Sequence, residues 1–154
     1  NGSKVNNTLA NQLGLYVVMY SPLQMAADLP ENYMRFMDAF QFIKDVPVEW
    51  SKSIYLEAEP GEYVTIARKD KNSDNWYVGN SNGYDERISN ISLSFLDTIT
   101  TYNAIIYKDG NDANYSSNPQ SYIIDSKFVT SNDTLMINTV PAGGFAIEIS
   151  PIKE

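Results

Sequence analysis

The strongest constraint on the fold of this chain is a change of hydrophobic period near Pro47. From Thr8 to about Phe42 apolar residues recur at spacings of three and four, the pattern of a helix that buries one stripe. Past Pro47 they recur at every second residue, and turn-forming residues arrive every eight to fifteen positions. That second pattern is the signature of short antiparallel strands stacked as a sandwich or barrel. One hydrophobic period cannot bury both kinds of element, so the chain reads as two regions, residues 1–46 and residues 47–154.

In the first region Thr8 can cap a helix, and Leu9, Leu13, Tyr16, Val17 and Tyr20 form one stripe, which predicts a helix over 9–20. Ser21-Pro22 should end it, because proline lacks an N–H and drives the preceding residue out of helical geometry. Leu23-Gln24-Met25-Ala26-Ala27 has the length of a buried strand, and Leu29-Pro30-Glu31-Asn32 turns the chain. Tyr33, Phe36, Met37, Phe40 and Ile43 then predict a second helix over 31–43. A lone parallel strand between two helices lacks the neighbours that would cover it, so this segment reads as the cut edge of something larger. Its loose apolar surface is expected to be hidden by a partner or by self-association.

The second region predicts eight strands: 53–58, 62–69, 75–81, 87–94, 102–108, 121–129, 134–139 and 145–150. Pro60-Gly61, Asn82-Gly83, Asp109-Gly110 and Ala142-Gly143-Gly144 supply the turns between them. The alternation of Phe145, Ile147 and Ile149 with Ala146 and Glu148 sets one face on a core and one toward water. The expected fold is therefore mainly β, an eight-stranded antiparallel β-sandwich of immunoglobulin-like or amylase C-terminal-like form behind a helix-strand-helix remnant. Trp50 should be buried at the junction, residues 44–53.

Composition narrows the chemistry. The chain has neither cysteine nor histidine, which removes disulfides, zinc-thiolate sites, the Ser-His-Asp triad and imidazole ligands. A net charge of −8 repels nucleic-acid phosphates and anionic lipid, so no nucleic-acid partner is expected. The longest apolar run, Leu13 to Tyr20, is far short of the roughly 20 residues of a membrane span. Asn1 to Asn7 lacks the pattern of a secretory signal, which would lie upstream if the parent protein is exported.

Several segments, in order, resemble glycoside hydrolase family 97. Asn11-Gln12-Leu13, Tyr16-Val17-Val18, Ser21-Pro22-Leu23-Gln24-Met25-Ala26-Ala27-Asp28 and Pro30-Glu31-Asn32-Tyr33 are similar to the end of that family's catalytic barrel, which implies that the helix-strand-helix segment is the remnant of a (β/α)8 barrel. Val46-Pro47 with Trp50, Gly61-Glu62-Tyr63-Val64, Ala67-Arg68, Trp76-Tyr77-Val78-Gly79, Ile106-Tyr107-Lys108-Asp109-Gly110 and Pro141-Ala142-Gly143-Gly144 resemble its C-terminal sandwich. The resemblance implies an exo-acting parent, an α-glucosidase or α-galactosidase, that depends on calcium and works in the periplasm or at the cell surface of Bacteroidetes. It also implies that the catalytic carboxylates and calcium-binding glutamates precede Asn1, so no catalytic residue, metal ligand or cofactor is assigned to this chain. The rest of the parent's barrel becomes the expected partner.

Among the chain's own residues, Asp28 and Gln24 follow or belong to the expected last barrel strand, whose C-terminal end is where such barrels place substrate. The plainer role for Asp28 is a helix cap or a loop tie. Glu57, Glu59 and Glu62 crowd one turn and read as a solvated acidic edge, since a hard-cation site needs about six converging oxygens. Asn72-Ser73-Asp74 and Asp109-Gly110-Asn111-Asp112 read as ordinary turns. Trp76 and Tyr84 are candidates for stacking on sugar, although aromatic rings as readily fill sandwich cores and interfaces. The leading expectation is a non-catalytic accessory or oligomerisation domain of a larger glycosidase. The alternatives are a carbohydrate-binding module and, last, a self-contained enzyme using Asp28 and Glu31.

Overall fold

The structure, a computed structural model, describes residues 5–21 and 34–153. Helices α1 (Leu9–Val18) and α2 (Met37–Asp45) precede eight strands: β1 (Trp50–Glu59), β2 (Tyr63–Asp70), β3 (Trp76–Asn82), β4 (Arg87–Ser92), β5 (Tyr102–Asp109), β6 (Tyr122–Val129), β7 (Thr134–Thr139) and β8 (Gly144–Pro151). The fold is mainly β, with strands in the places that the two-residue period indicates. Among the described residues all pairings are antiparallel. Six strands form one sheet in the order β1-β2-β3-β8-β5-β6, and β4 and β7 form a second.

The two sheets enclose a core containing Trp76, Val78, Ile91, Leu135, Ile147 and Ile149. The other face of the large sheet is not open to water as the alternation in β8 suggests. Leu13, Val17, Ala39 and Phe42 of the helices pack there on Tyr77, Tyr107 and Ala146, with Trp50 half-buried at the margin. Ala146 is therefore as inaccessible as its neighbours Phe145 and Ile147. The described residues form three layers, helices on a six-stranded sheet on a two-stranded one, around two cores.

Helix α1 lies on the sheet because glycines let backbone approach backbone. A Cβ on Gly14 would strike the carbonyl oxygens of Asn80 and Phe145, and one on Gly79 would strike the Gly14 carbonyl oxygen and Val17 Cβ. The helix ends at Val18, two residues before the expected stop, with Met19 already extended. Helix α2 runs from Met37 to Asp45, and a turn at residues 35–36 separates it from helical Met34, where the spacing predicts one helix over 31–43. Phe36 sits at φ −134°, ψ 46°, outside helical geometry, and its ring packs edge-on against Tyr122 at 6.0 Å. At the other end Val46 is extended, as a residue before proline prefers. The strand expected at residues 23–27 and the start of the second helix at 31–33 lie outside the described residues.

Candidate functional site

Both ends of α1 are held by residues of the sandwich. Thr8 caps the helix by accepting the Asn11 N–H at 3.1 Å, as its position in the sequence suggests. Its hydroxyl donates in turn to the buried carboxylate of Asp109 at 2.6 Å, which also accepts the N–H groups of Val140 and Gly144 at 3.1 Å each. Burial pushes the Asp109 carboxyl up, opposed by those three hydrogen bonds. Asn11 Nδ2 donates to the Gly143 carbonyl at 2.7 Å. At the other end Arg68 Nε donates to the Val17 carbonyl at 2.7 Å, and Nη2 to that of Val18 at 3.1 Å. A cation is favourable there, because the last carbonyls of a helix carry partial negative charge. Asp109 and Arg68 are the residues that sequence reasoning missed. In sequence Asp109 reads as part of a turn, and its partner Thr8 lies 101 residues away.

Asp28 and Gln24 fall outside the described residues. Trp76 and Tyr84 are not brought together as equivalents. Trp76 is 5% exposed and packs on Phe95 at 4.8 Å inside the sandwich, because β3 is central in the sheet and turns this ring inward. Neither face of that ring is open to a sugar. Tyr84 is 69% exposed and meets Tyr115 edge-on at 5.7 Å, so the pair does not make one flat platform. The acidic turn also separates into parts. Glu57 is paired with Arg87, while Glu59 and Glu62 are exposed and line an open cleft of about 410 Å³ with Pro60 and Gly83. Among the described residues, no three carboxylates converge as a metal site would need. Asp112 accepts Ser121 Oγ and, at 3.0 Å, Asn118 Nδ2, which is ordinary turn chemistry.

Large apolar side chains are exposed at several places, Ile99 at 93% among them. Met19, Tyr20, Met34 and Met37, at the helix ends on either side of residues 22–33, are all exposed. Phe128 projects from β6 and is 74% exposed. No helix among the described residues is long and apolar enough to cross a membrane.

A mainly β fold of two antiparallel sheets, with α1 held at both ends on the larger one, defines a helix-capped β-sandwich domain. The chain belongs to the family described as glycosyl-hydrolase 97 C-terminal, oligomerisation, whose model matches residues 49–150. It is similar to a retaining α-galactosidase of Bacteroides thetaiotaomicron, at 37% identity over 142 residues, covering 92% of this chain and 21% of that protein. It is also similar to a probable retaining α-galactosidase of Streptomyces bingchenggensis, at 26% identity over 137 residues, 89% of this chain and 20% of that one. A solved glycoside hydrolase family 97 enzyme from Pseudoalteromonas, in complex with acarbose, superposes with a TM-score of 0.93 at 44% identity, covering 96% of this chain and 23% of that one. The chain thus spans about a fifth of the length of the curated relatives it matches.

Proposed function

We propose that this chain is the C-terminal end of a longer family 97 α-glycosidase, residues 1–46 closing its catalytic barrel and residues 47–154 forming an accessory sandwich through which the enzyme self-associates. The observation that carries this reading is the family match over residues 49–150, in relatives of which the chain spans about a fifth. On this reading the parent hydrolyses terminal α-galactosidic or α-glucosidic bonds in the periplasm or at the cell surface, with its carboxylates and its calcium held by upstream residues. The barrel covers Met19, Tyr20, Met34 and Met37, whose exposure on either side of residues 22–33 suits a contact with missing chain. Asp28 and Gln24 then approach the parent's substrate. Helix α1, fixed on the sheet by Asp109 and Arg68, holds barrel and sandwich in one orientation.

Carbohydrate binding by the sandwich is the second reading, and exposed Tyr84 is the residue that favours it. One sample of the pure chain tests both. It is expected to release no nitrophenol from p-nitrophenyl α-galactoside or α-glucoside and to give flat calorimetric titrations with maltooligosaccharides and α-galactosides. Robust turnover would overturn the accessory role. Saturable heat abolished by Tyr84→Ala would put sugar binding in its place.

A further inference from the structure

The two outer strands of the six-stranded sheet are built differently. β1 breaks register twice, between Trp50 and Lys52 and between Tyr55 and Glu57. Such bulges twist an edge away from pairing with another molecule. β6 keeps unbroken register with β5 over all eight residues and pairs with no other strand among those described. Asp125, Ser126, Lys127 and Phe128 are all exposed along it. A regular edge of this length offers a row of backbone donors and acceptors to a second strand.

We propose that β6 is the strand through which two copies of this chain associate, pairing antiparallel about a twofold axis at Ser126 and joining their large sheets into one. The proposal rests on the oligomerising role above and names its surface. A twofold axis normal to the sheet keeps every side chain on its own face, so the pairing must centre on a residue rather than between two. Centring on Asp125 sets two carboxylates opposite each other, and centring on Lys127 sets two ammonium groups opposite, both unfavourable. Centring on Ser126 sets Asp125 of each copy against Lys127 of the other. It also brings Ile124 against Phe128, giving the exposed ring an apolar neighbour. Charges on an edge strand usually block self-pairing. Here opposite signs two residues apart make the edge complementary to itself. Lys127 has no ion-pair partner among the described residues, and Asp125 holds Lys108 at 2.8 Å with half of its side chain still open. Both Asp125 and Lys127 line a cleft of about 220 Å³ between β6 and β7, beside the pairing edge.

Sedimentation equilibrium on the whole chain tests this with Asp125→Lys, Lys127→Glu and an equimolar mixture of the two. The unsubstituted chain is expected to dimerise, and each single variant to raise the dissociation constant about tenfold or more, since two symmetry-related pairs turn repulsive at once. The mixture is expected to recover the original affinity, because in the mixed dimer each new charge meets its opposite. Ser126→Cys gives an independent readout in a chain with no cysteine: mild oxidation should yield a disulfide-linked dimer. If the unsubstituted chain dimerises and both charge variants dimerise as tightly, β6 is not the interface while the oligomerising role stands. If the unsubstituted chain is monomeric at every concentration, both fail.

Discussion

Glu57 lies where the large sheet faces the start of β4 in the small one, and its carboxylate takes two Arg87 guanidinium N–H groups at 2.8 Å each. Thr65 Oγ1 donates to it at 2.9 Å, and the guanidinium stacks 3.3 Å above the Tyr63 ring. Burial alone would raise the Glu57 pKa, but the hydrogen bonds from Arg87, Ser89 and Thr65 and the Arg87 charge outweigh it and hold the group below the ordinary value of 4.5. A carboxylate depressed in the folded state contributes stability that is present above its unfolded pKa and is lost as pH falls through the folded one. Urea unfolding should therefore show a loss of stability below about pH 4.5 that is smaller in Glu57→Gln. Arg87→Lys, which keeps the charge but loses the two-pronged geometry and the stacking, should cost about 1–2 kcal/mol at neutral pH. An Arg87→Lys chain as stable as the original would show that the charge alone suffices. In sequence Glu57 reads as one of three solvated acids, because its partner lies thirty residues away and no local spacing announces it.

Gly14 and Gly79 set how closely α1 approaches β3, and their pairing is a tertiary fact that neither local pattern contains. Gly79 lies inside a strand at ordinary φ, so its freedom from a side chain matters for space rather than for backbone conformation. Gly79→Ala drives a methyl against a carbonyl and the Val17 side chain, where backbone rather than a flexible tip must yield. We expect about 2 kcal/mol of lost stability from such overpacking. Hydrogen exchange should quicken across residues 9–18 while the protected amides of β3 and β8 change little. Faster exchange spread evenly over both sheets would mean that the helix is not the part displaced. The period-two signal located the strands well, since burial of alternate residues is a local imprint. It misjudged β8, because Ala146 is small enough to look like a surface residue and is buried only by helices more than a hundred residues earlier. The helix that the spacing indicates over 31–43 is interrupted at Arg35 and Phe36 for a comparable reason. Phe36 fits the apolar stripe, but its contact with Tyr122 accompanies a backbone that no helix can pass through.

At the scale of the whole molecule, the change of period at Pro47 marks a change of element type and does not by itself mark where one core ends. The pattern before Pro47 marks that portion as dependent on neighbours it does not contain. The structure makes the dependence mutual. Tyr77 and Tyr107 stand on the large sheet with Phe42 against them at 6.1 and 5.3 Å between ring centroids. Burial pushes the Tyr107 hydroxyl up to about 12, with the carboxylates of Glu148, Asp45 and Asp38 adding to the shift. Without residues 1–46 that face would lose Leu13, Val17, Ala39 and Phe42 together and open an apolar surface on a sheet already carrying unpaired edges. Leu13, Val17 and Phe42 contribute about 1.5–3 kcal/mol each when fully buried, while a domain of this size has about 5–15 kcal/mol in total. A chain beginning at residue 47 should therefore bind a hydrophobic dye, aggregate at concentrations the full chain tolerates, and unfold at markedly lower urea. The full chain should unfold in one transition followed alike by helical circular dichroism and tryptophan fluorescence, because Trp50 sits at the helix-sheet margin and Trp76 in the sandwich. Two separated transitions, with 47–154 as stable alone as within the whole, would mean that the helices ride on a finished sandwich, and the rigid link between barrel and sandwich proposed for the parent enzyme would lose its physical basis.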